Sequence, residues 1–402
     1  MISSCYVFVV DEHEPRICGK YTIQDGMGYF VYGQSWLSRK DAYPLDPINY
    51  PLTGTTFQSS SQHGIIGVLS DSAPDSWGRL VQVAYHQQQP ANEVEWLLVG
   101  SGRGAGCLAF SSSRNKIKPF GTLPDFSEVA TFIQIADTIE AGTPLDLSNH
   151  PEEWTRLLEY GSSMGGAKPK IVVSHEGKEW IAKLNRKTDI IDVVKIEFAT
   201  RELAVSVGIT PPAMQLHDIN GHSVLLIERF DRDALGRRHY ISVHSLLNAG
   251  RIREDHSKTT YSYGQVADLS RRMCADPRQI APEIYRRMVF NALIGNTDDH
   301  ARNHGFLKNR ENNDYLLAPA FDISPQPRSS HVHSLGLGDE GRIAKRSNLI
   351  SQAKRFLLTK EQAIAEIDRQ INVLADWRIV YEQHNVSALD IRMLEQSFLQ
   401  IE

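Results

Sequence analysis

Residues 291–309, NALIGNTDDHARNHGFLKN, form the stretch that most restricts how this chain can fold. They continue a run whose apolar residues recur at helical spacing, and the helix predicted there ends at Gly295. The residues that follow include five polar side chains within seven positions: Asp298, Asp299, His300, Asn303 and His304. We therefore expect a helix that delivers a compact polar loop.

The spacing within this loop indicates a specific chemistry. Asp298 and Asn303 stand five residues apart, and a strand-like segment further along carries Asp322. The same offset separates the base from the metal-binding asparagine in the kinase catalytic loop H-R-D-x-x-x-x-N, where a later acid also holds magnesium. Phosphoryl transfer needs a carboxylate near the attacking hydroxyl and hard oxygen ligands for Mg²⁺, and these three residues supply both.

Two other interpretations of the loop stay open at this point. Clusters of Asp, Asn and His often only shape a turn or cap a helix. His300 and His304 are four residues apart and would share a helix face, as zinc ligands do. The zinc-protease pattern, however, needs Glu directly after the first His, and this chain has Ala301 there.

The composition excludes several function classes. The chain has 402 residues and a net charge of -5, so no overall basic field attracts nucleic acid. Its four cysteines lack CxxC spacing, which fits a reducing cytosol better than a disulfide framework. We find no leader and no apolar run near the roughly 18 residues of a membrane span, and therefore expect a cytoplasmic protein without membrane contact.

The first third of the chain predicts β structure followed by a helix. Residues 1–60 have strand patterns, and residues 64–88 predict a turn and an amphipathic helix capped by Asp75. The expected apolar face of that helix comprises Trp77, Leu80, Val81 and Ala84. The glycine run in residues 97–110 matches no phosphate-binding pattern, so we interpret it as a structural turn.

The middle of the chain has the element order of a kinase small lobe, β-β-α-β-β. A Gly-rich turn at 161–166 precedes two predicted strands, the second of which carries Lys183, and a helical pattern over 193–206 contains Glu197. Asn220-Gly221 is the preferred pair for a type I′ hairpin turn. In a kinase, the strand lysine binds the ATP phosphates and the helix glutamate orients it. Residues 228–230 would be the hinge that binds adenine.

The last part of the chain is predicted to be mainly helical. The clearest helix covers residues 275–296, with Asp276 as its N-cap and Pro277 at its first position. Thr359 and Gln362 form the pattern of a capping box. His331 and His333 fall in a polar loop, and we expect them at the surface.

With these motifs in view, the chain resembles the HipA family of bacterial serine/threonine kinase toxins over about residues 5–375. The segments that carry the resemblance are LSDSAPDSWGR, SSMGGAKPK, WIAKL, LLIERFDR, IGNTDDHARNHGF and LAPAFDISP. The resemblance implies an α+β, two-lobed protein-kinase-like fold with an additional β-rich N-terminal subdomain and a mainly helical C-terminal lobe. The implied boundaries are 1–115, 116–235 and 236–402.

The resemblance also implies roles for individual residues. Asp298 would be the catalytic base, Asn303 and Asp322 would hold Mg²⁺, and Ser163 would be the loop serine that such kinases phosphorylate on themselves. The residues implied to surround ATP are Gly165, Gly166, Ala167, Lys168, Pro169, Lys170, Lys183, Glu228, Arg229, Phe230, His300, Ala301, Arg302, Asn303, Phe321 and Asp322. Departures from ordinary kinases leave the phosphate contacts open, since the chain has no H-R-D, D-F-G or G-x-G-x-x-G sequence at these places.

The implied partners are a small helix-turn-helix antitoxin and a protein substrate of the aminoacyl-tRNA synthetase kind, with DNA contacted only through the antitoxin. Two alternatives remain open. One is a small-molecule phosphotransferase of the aminoglycoside type. An acidic substrate cleft would favour it, but the C-terminal half has no concentrated acidic run. The other is a catalytically weak corepressor that acts with the DNA-binding antitoxin.

Overall fold

A computed structural model of the chain describes residues 2–11, 14–59, 64–145, 151–162, 166–247, 261–327 and 332–401. The chain divides into two compact units. The first unit holds the described residues up to Thr188 and those from His217 to Ile241. The second unit holds Asp189–Leu216, Ser242–Leu247 and the described residues from Tyr261 onward. The predicted domain boundaries near 115 and 235 stay predictions.

The first unit begins with the predicted β structure, an antiparallel sheet. Its strands are β1 (Ser4–Val9), β2 (Arg16–Gln24), β3 (Met27–Tyr32), β4 (Phe57–Gln58) and β5 (Leu108–Ser111). They lie in the order β4-β3-β2-β1-β5. Asp25 and Gly26 both have positive φ between β2 and β3, which is the backbone of a type I′ hairpin turn.

Helices pack around this sheet and the next one. They are α1 (Gln34–Leu37), α2 (Gly67–Ser70), α3 (Ser76–His86), α4 (Glu93–Val99), α5 (Val129–Glu140) and α6 (Pro151–Gly161). The helix predicted after residue 64 is α3, and Asp75 caps it by accepting a hydrogen bond from the Ser76 backbone. Trp77 and Val81 are buried as expected, but Leu80 is 45% exposed, so its place on the apolar face was wrong.

A second antiparallel sheet follows, as the middle of the sequence predicted. Its strands are β6 (Lys170–His175), β7 (Lys178–Leu184), β8 (Met214–Ile219) and β9 (His222–Glu228), in the order β6-β7-β9-β8. Asn220 and Gly221 have the positive φ values that the predicted hairpin turn requires. The short strands β10 (Arg232–Asp233), β11 (Gly236–Arg237) and β12 (Tyr240–Ser242) come next.

The core of the first unit joins α3, α5 and α6 to the second sheet. Trp77 and Phe132 meet edge to face within it, and Ile171, Trp180 and Leu226 contribute from the strands. Burying each large apolar side chain stabilises the fold by roughly 1.5–3 kcal/mol. The sheet that carries Lys183 is therefore packed onto helices that include one from the N-terminal region.

The second unit is mainly helical. Its helices are α7 (Val193–Ser206), α8 (Val243–Leu246), α9 (Tyr263–Met273), α10 (Pro277–Ile294), α11 (Arg346–Ser351), α12 (Lys360–Leu374), α13 (Trp377–Gln383) and α14 (Ala388–Leu394). Thr359 and Gln362 form the predicted capping box of α12. Asp276 occupies the N-cap position of α10, but its side chain makes no capping hydrogen bond.

Helix α10 is the central element of this unit, and most of its second half is buried. It ends at Gly295, whose φ of 70° lies in the left-handed region. A Cβ at this position would also lie 2.5 Å from the carbonyl oxygen of Ser397. Glycine is therefore required here by both backbone conformation and space. Among the described residues, no helix is long and apolar enough to cross a membrane.

Candidate active site

The predicted polar loop directly follows α10 in the second unit. A 3₁₀ turn at Ala301–Asn303 and the hairpin of β13 (Gly305–Lys308) and β14 (Tyr315–Leu317) come after it. The Asn303 N–H donates to the His300 carbonyl at 2.9 Å, which closes the turn. His300 and His304 therefore do not share a helix face. Among the described residues, no group of three or more His, Cys, Asp and Glu side chains could hold a metal ion.

Asp298 is exposed at the tip of the loop. Partial desolvation of its carboxyl raises its pKa; nearby His300 opposes this, whereas the negative charges of Asp322 and Asp299 add to it. The electrostatic coupling to Asp322 places the two carboxyl groups in one neighbourhood. A carboxylate with a raised pKa accepts a proton more readily than an ordinary aspartate does.

Asp322 has an unusual backbone conformation. Its φ is 57°, in the left-handed region, and it is exposed between half-buried Phe321 and buried Ile323. For a residue other than glycine this conformation is uncommon, although Asp and Asn adopt it more readily than other residues do. Asn303 lines a small cavity together with Phe321 and Ile323. The three predicted catalytic residues of this unit, Asp298, Asn303 and Asp322, thus lie in one region.

A buried hydrogen-bond network lies under the loop and centres on Asp299. The Asp299 carboxylate accepts hydrogen bonds from the Tyr263 hydroxyl, from His304 Nε2 at 2.8 Å and from Asn291 Nδ2 at 3.1 Å. Burial alone would raise the pKa of Asp299, but the attraction of His304 and the hydrogen bonds from His304 and Tyr263 outweigh burial and lower it. Asp299 is therefore held as a buried carboxylate.

The network extends to the start of the loop. Asn296 Nδ2 donates to Asn291 Oδ1 at 3.0 Å. His333 is buried, and its Nδ1 donates to the Asn296 carbonyl at 3.2 Å. Ser334 donates to the Thr297 carbonyl from both its backbone and its hydroxyl. The expectation that His333 is a surface residue was therefore wrong, because this histidine supports the loop from beneath; His331 lies outside the described residues.

The remaining nucleotide residues predicted in the second unit differ in exposure. His300 is exposed, whereas Ala301 and Asn303 are buried. Arg302 is half-buried and donates from its guanidinium to His244 Nε2 at 3.3 Å. The N–H of Val243, at the start of α8, donates to the His304 carbonyl. Helix α8 therefore fixes the second half of the loop.

In the first unit, two predicted phosphate-binding lysines face each other. Lys170 at the start of β6 is the direct cross-strand partner of Lys183 on β7, so their side chains share one face of the sheet. The amino group of Lys170 approaches Gly166, 2.5 Å from where a Cβ of Gly166 would be. Like charges directly opposite each other oppose pairing unless an anion or another negative group balances them. Positive charge is thus concentrated at the predicted phosphate-binding turn.

Other backbone groups of this turn are held in place. The Trp77 N–H donates to the Gly166 carbonyl at 3.0 Å, and the Leu184 N–H donates to the Pro169 carbonyl at 2.9 Å. The Arg186 guanidinium contacts the Ala167 carbonyl. Lys168 is half-buried and lies in the same short segment. Ser163 and Gly165 lie outside the described residues, so their predicted roles stay predictions.

The predicted hinge residues are placed at the end of β9. Glu228 pairs with Lys178 at 2.8 Å. The Arg229 N–H donates to the Glu179 carbonyl, and its buried side chain pairs with Asp231 at 2.8 Å. The Arg229 N–H is therefore already bonded within the first unit, and the hinge role of Glu228, Arg229 and Phe230 stays a prediction.

Sequence reasoning missed the residues that support the loop rather than face a ligand. Tyr263, Asn291, Asn296 and His333 were not predicted to have any role. One signal was present, because Asn291 is a polar residue inside the apolar run that ends α10. A buried polar side chain of this kind needs a partner, which here comes from the loop itself.

Comparison with known proteins identifies relatives along both parts of the chain. The family described as HipA-like C-terminal domain matches residues 162–377, and the family described as HipA N-terminal domain matches residues 15–111. A putative kinase of Sinorhizobium fredii, Y4mE, is 25% identical over 329 residues, which cover 77% of this chain and 74% of the relative. The serine/threonine-protein kinase toxin HipA of Shewanella oneidensis is 25% identical over 382 residues, covering 84% and 83%.

Among solved structures, the Shewanella oneidensis HipA determined with HipB and operator DNA is similar to this chain. The TM-score is 0.70 at 17% identity, and the match covers 94% of this chain and 92% of that one. This likeness shows the fold. The predicted α+β, kinase-like fold is therefore confirmed.

Proposed function

This chain belongs to the HipA family, and we propose that it is an ATP- and magnesium-dependent protein serine/threonine kinase, the toxin of a toxin–antitoxin pair. The observation that carries the proposal is the position of Asp298, Asn303 and Asp322 in one region of the second unit, at the end of a buried helix. Relatives named as kinases, one of them a serine/threonine kinase toxin, support the same activity.

We assign the base role to Asp298. Its exposure leaves the carboxylate accessible to a protein hydroxyl, and its raised pKa strengthens it as a proton acceptor. In the proposed step the carboxylate takes the hydroxyl proton while the hydroxyl oxygen bonds to the γ-phosphorus of ATP and ADP leaves. The buried Asp299 network keeps the loop in one conformation, which lowers the cost of aligning the base.

Asn303 and Asp322 would hold magnesium. Their amide and carboxylate oxygens are hard ligands of the type that Mg²⁺ prefers, so the donor set fits. When bound, Mg²⁺ neutralises charge on the ATP phosphates. The exposed carboxylate of Asp322, between two residues of the cavity that Asn303 also lines, supports this role.

For ATP itself we propose two sets of contacts. In the first unit these are Gly165, Gly166, Ala167, Lys168, Pro169, Lys170 and Lys183 for the phosphates and Glu228, Arg229 and Phe230 for adenine. In the second unit they are His300, Ala301, Arg302, Asn303, Phe321 and Asp322. The facing pair Lys170 and Lys183 supports the phosphate assignment, because both cationic side chains share one face of the sheet next to the predicted turn.

Ser163 is proposed as a self-inactivating phosphorylation site. A phosphate there would add about -1.5 to -2 charges beside the bound nucleotide's own phosphates and would repel them. Ser163→Asp should therefore lose MgATP binding. Mass spectrometry after incubation with MgATP should find phosphate on Ser163 in the wild type and not in Asp298→Asn; the reverse pattern would contradict the assignment.

The proposed partner is a small helix-turn-helix antitoxin, supported by the relative that was solved with HipB and operator DNA. The net charge of -5 gives this chain little counterion-release affinity for DNA, so we propose that DNA is contacted through the antitoxin. The proposed protein substrate is of the aminoacyl-tRNA synthetase kind. Tight, salt-sensitive DNA binding by the isolated chain would contradict the first of these assignments.

Phosphate transfer from radiolabelled ATP with Mg²⁺ tests the proposal. Asp298→Asn should lower the rate by about 10²–10⁴-fold, the typical contribution of a positioned base. Asp376→Asn is the matched control, since it makes the same change at an exposed position in the same unit. Parental activity in Asp298→Asn would refute the assignment. Transfer to an aminoglycoside and not to protein would favour the small-molecule enzyme, and normal operator repression without any transfer would favour the corepressor.

A further inference from the structure

The motif DSWGR, residues 75–79, is part of the family resemblance but has no role in the proposed chemistry. It opens helix α3, which belongs to the predicted N-terminal subdomain. This helix packs against α6, and α6 leads through Ser162 into the predicted phosphate-binding turn. We propose that α3 positions the two described residues on either side of residues 163–165, Ser162 and Gly166, so that Trp77, Gly78 and Gln82 are positioning residues for ATP phosphate binding. The inference rests on the proposed function.

The first contact is made to Gly166, which follows residues 163–165. The Trp77 N–H is one of the N–H groups at the start of α3 that have no partner within the helix. It donates to the carbonyl of Gly166 at 3.0 Å. The Trp77 side chain is buried in the core of the first unit, against Phe132. Gly166 is thus tied to a helix that cannot move without disturbing that core.

The second contact is made to Ser162, which precedes residues 163–165. Gln82 is 2% exposed, and its Nε2 donates to the hydroxyl of Ser162 at 2.5 Å. The Ser162 hydroxyl in turn donates to the Glu159 carbonyl of α6 at 2.9 Å. Ser162 itself is fully buried. The last residue described before the turn is therefore bound to α3 through a side chain.

The third contact is a close approach of backbones. A Cβ on Gly78 would lie 2.5 Å from the Ser162 carbonyl oxygen and 3.0 Å from Pro74 Cβ. Glycine is unfavourable inside a helix, so its presence in α3 needs a reason. The reason here is that only glycine lets Ser162 lie this close to the helix. Two successive residues of α3, Trp77 and Gly78, thus contact Gly166 and Ser162, the described residues on either side of residues 163–165.

Binding of MgATP and of adenosine to the full chain, measured by calorimetry, tests the inference. Adenosine lacks phosphates, so loss of a phosphate-positioning contact should weaken MgATP and leave adenosine unchanged. Gln82→Leu removes the hydrogen bond to Ser162 and a longer one of 3.5 Å to the Val99 carbonyl, and should raise the Kd for MgATP about 2- to 10-fold. Gly78→Ala displaces Ser162 and should raise it about 10-fold or more. Leu80→Ala, on the exposed side of the same helix, is the control and should bind both ligands as the wild type does.

Gly78→Ala also gives a test that needs no nucleotide, namely whether the melting temperature rises or falls. In an unobstructed helix, alanine would raise the melting temperature, because it is the better helix former. We expect a lower melting temperature, because the added methyl meets a carbonyl oxygen. A raised melting temperature with unchanged MgATP binding would overturn the inference.

A double-mutant cycle separates positioning from general destabilisation. Ser162→Ala removes the shared hydrogen bond and also the one from Ser162 to the Glu159 carbonyl, so it should weaken MgATP binding at least as much as Gln82→Leu does. The double variant should lose less than the sum of the two single losses, because the Gln82–Ser162 hydrogen bond is common to both. Equal weakening of MgATP and adenosine in the single variants would assign Gln82 a purely structural role. If the wild type binds MgATP no more tightly than adenosine, the proposed function fails. If the wild type and the variants all bind MgATP more tightly than adenosine, and by the same factor, only this inference fails.

Discussion

Asp298 and Asp299 are neighbours with opposite surroundings, and replacing each with asparagine should have opposite consequences. Asn is nearly isosteric with Asp, so each replacement removes a charge with little change of volume. Asp299 is 3% exposed, whereas Asp298 is exposed at the tip of the loop. We predict that Asp299→Asn destabilises the protein and that Asp298→Asn does not.

The magnitude for Asp299 follows from its partners. The carboxylate accepts three hydrogen bonds, from Tyr263, Asn291 and His304. All three donors meet one carboxylate oxygen, Oδ2, and an asparagine oxygen there would lack the negative charge that strengthens these hydrogen bonds. Breaking a buried charged pair costs about 3–5 kcal/mol. With net stabilities of roughly 5–15 kcal/mol, we expect a clear fall in the urea midpoint, by about 1 M or more for a typical m-value.

The pH dependence should differ in sign between the two sites. The pKa of Asp299 is lowered by folding, so its contribution is fully present above the unfolded pKa of about 4 and is lost as pH falls through the folded value. The deficit of Asp299→Asn should therefore shrink in acid. The pKa of Asp298 is raised by folding, so its ionised form opposes folding at neutral pH. Asp298→Asn should be at least as stable as the wild type at pH 7, and any gain should vanish in acid.

Urea unfolding at pH 7 and at about pH 3, followed by far-UV circular dichroism, measures all of these quantities, because the Asp299 contribution is lost below the unfolded pKa of about 4. Asp298→Asn serves as the matched control for Asp299→Asn, because the chemical change is the same at the adjacent residue. A wild-type midpoint for Asp299→Asn at pH 7 would refute the network as drawn. An equal loss in both variants would show that the loop does not separate a supporting aspartate from a reactive one.

Three further predictions address other parts of the chain. Asp322→Ala should abolish the Mg²⁺ dependence of ATP binding in calorimetry, whereas retained dependence would remove Asp322 from the metal site. Gly295→Ala should destabilise by at least about 1 kcal/mol in urea, because φ is 70° and the methyl would meet the Ser397 carbonyl; a more stable variant would contradict this. Asp231→Asn should cost about 3–5 kcal/mol at pH 7, since buried Asp231 pairs with Arg229 and Arg232 and these contacts lower its pKa, and the deficit should persist in mild acid.

Much of the local structure was predictable because local sequence determines it. The hairpin at Asn220-Gly221 and the capping box of Thr359 and Gln362 depend on residues within a few positions of one another. The same holds for the loop at 298–303, whose spacing is readable from the chain alone. The predicted apolar face of α3 was right for Trp77 and wrong for Leu80. Hydrophobic periodicity indicates which way the apolar face of a helix points, but not how many residues it includes.

The supporting contacts were not predictable, because they join residues far apart in sequence. Tyr263 lies 36 residues before Asp299, and His333 lies 37 residues after Asn296. Gln82 and Ser162 are separated by 80 residues. No propensity or spacing rule pairs such residues. The sequence does show residues that are unusual for their position, such as an asparagine in an apolar helix or a glycine inside a helix.

These anomalies share one physical logic that links stability to the proposed chemistry. Asn291 weakens the apolar surface of α10, Gly78 lowers the helix propensity of α3, and Asp322 holds a strained backbone, so each is a local cost. Each also borders the proposed kinase chemistry: Asn291 supports the Asp299 network, Gly78 approaches the phosphate-binding turn, and Asp322 presents a metal ligand. Substitutions that helix propensity or hydrophobic pattern alone would favour, such as Asn291→Leu or Gly78→Ala, would remove these arrangements. These three local costs therefore coincide with parts of the proposed active site.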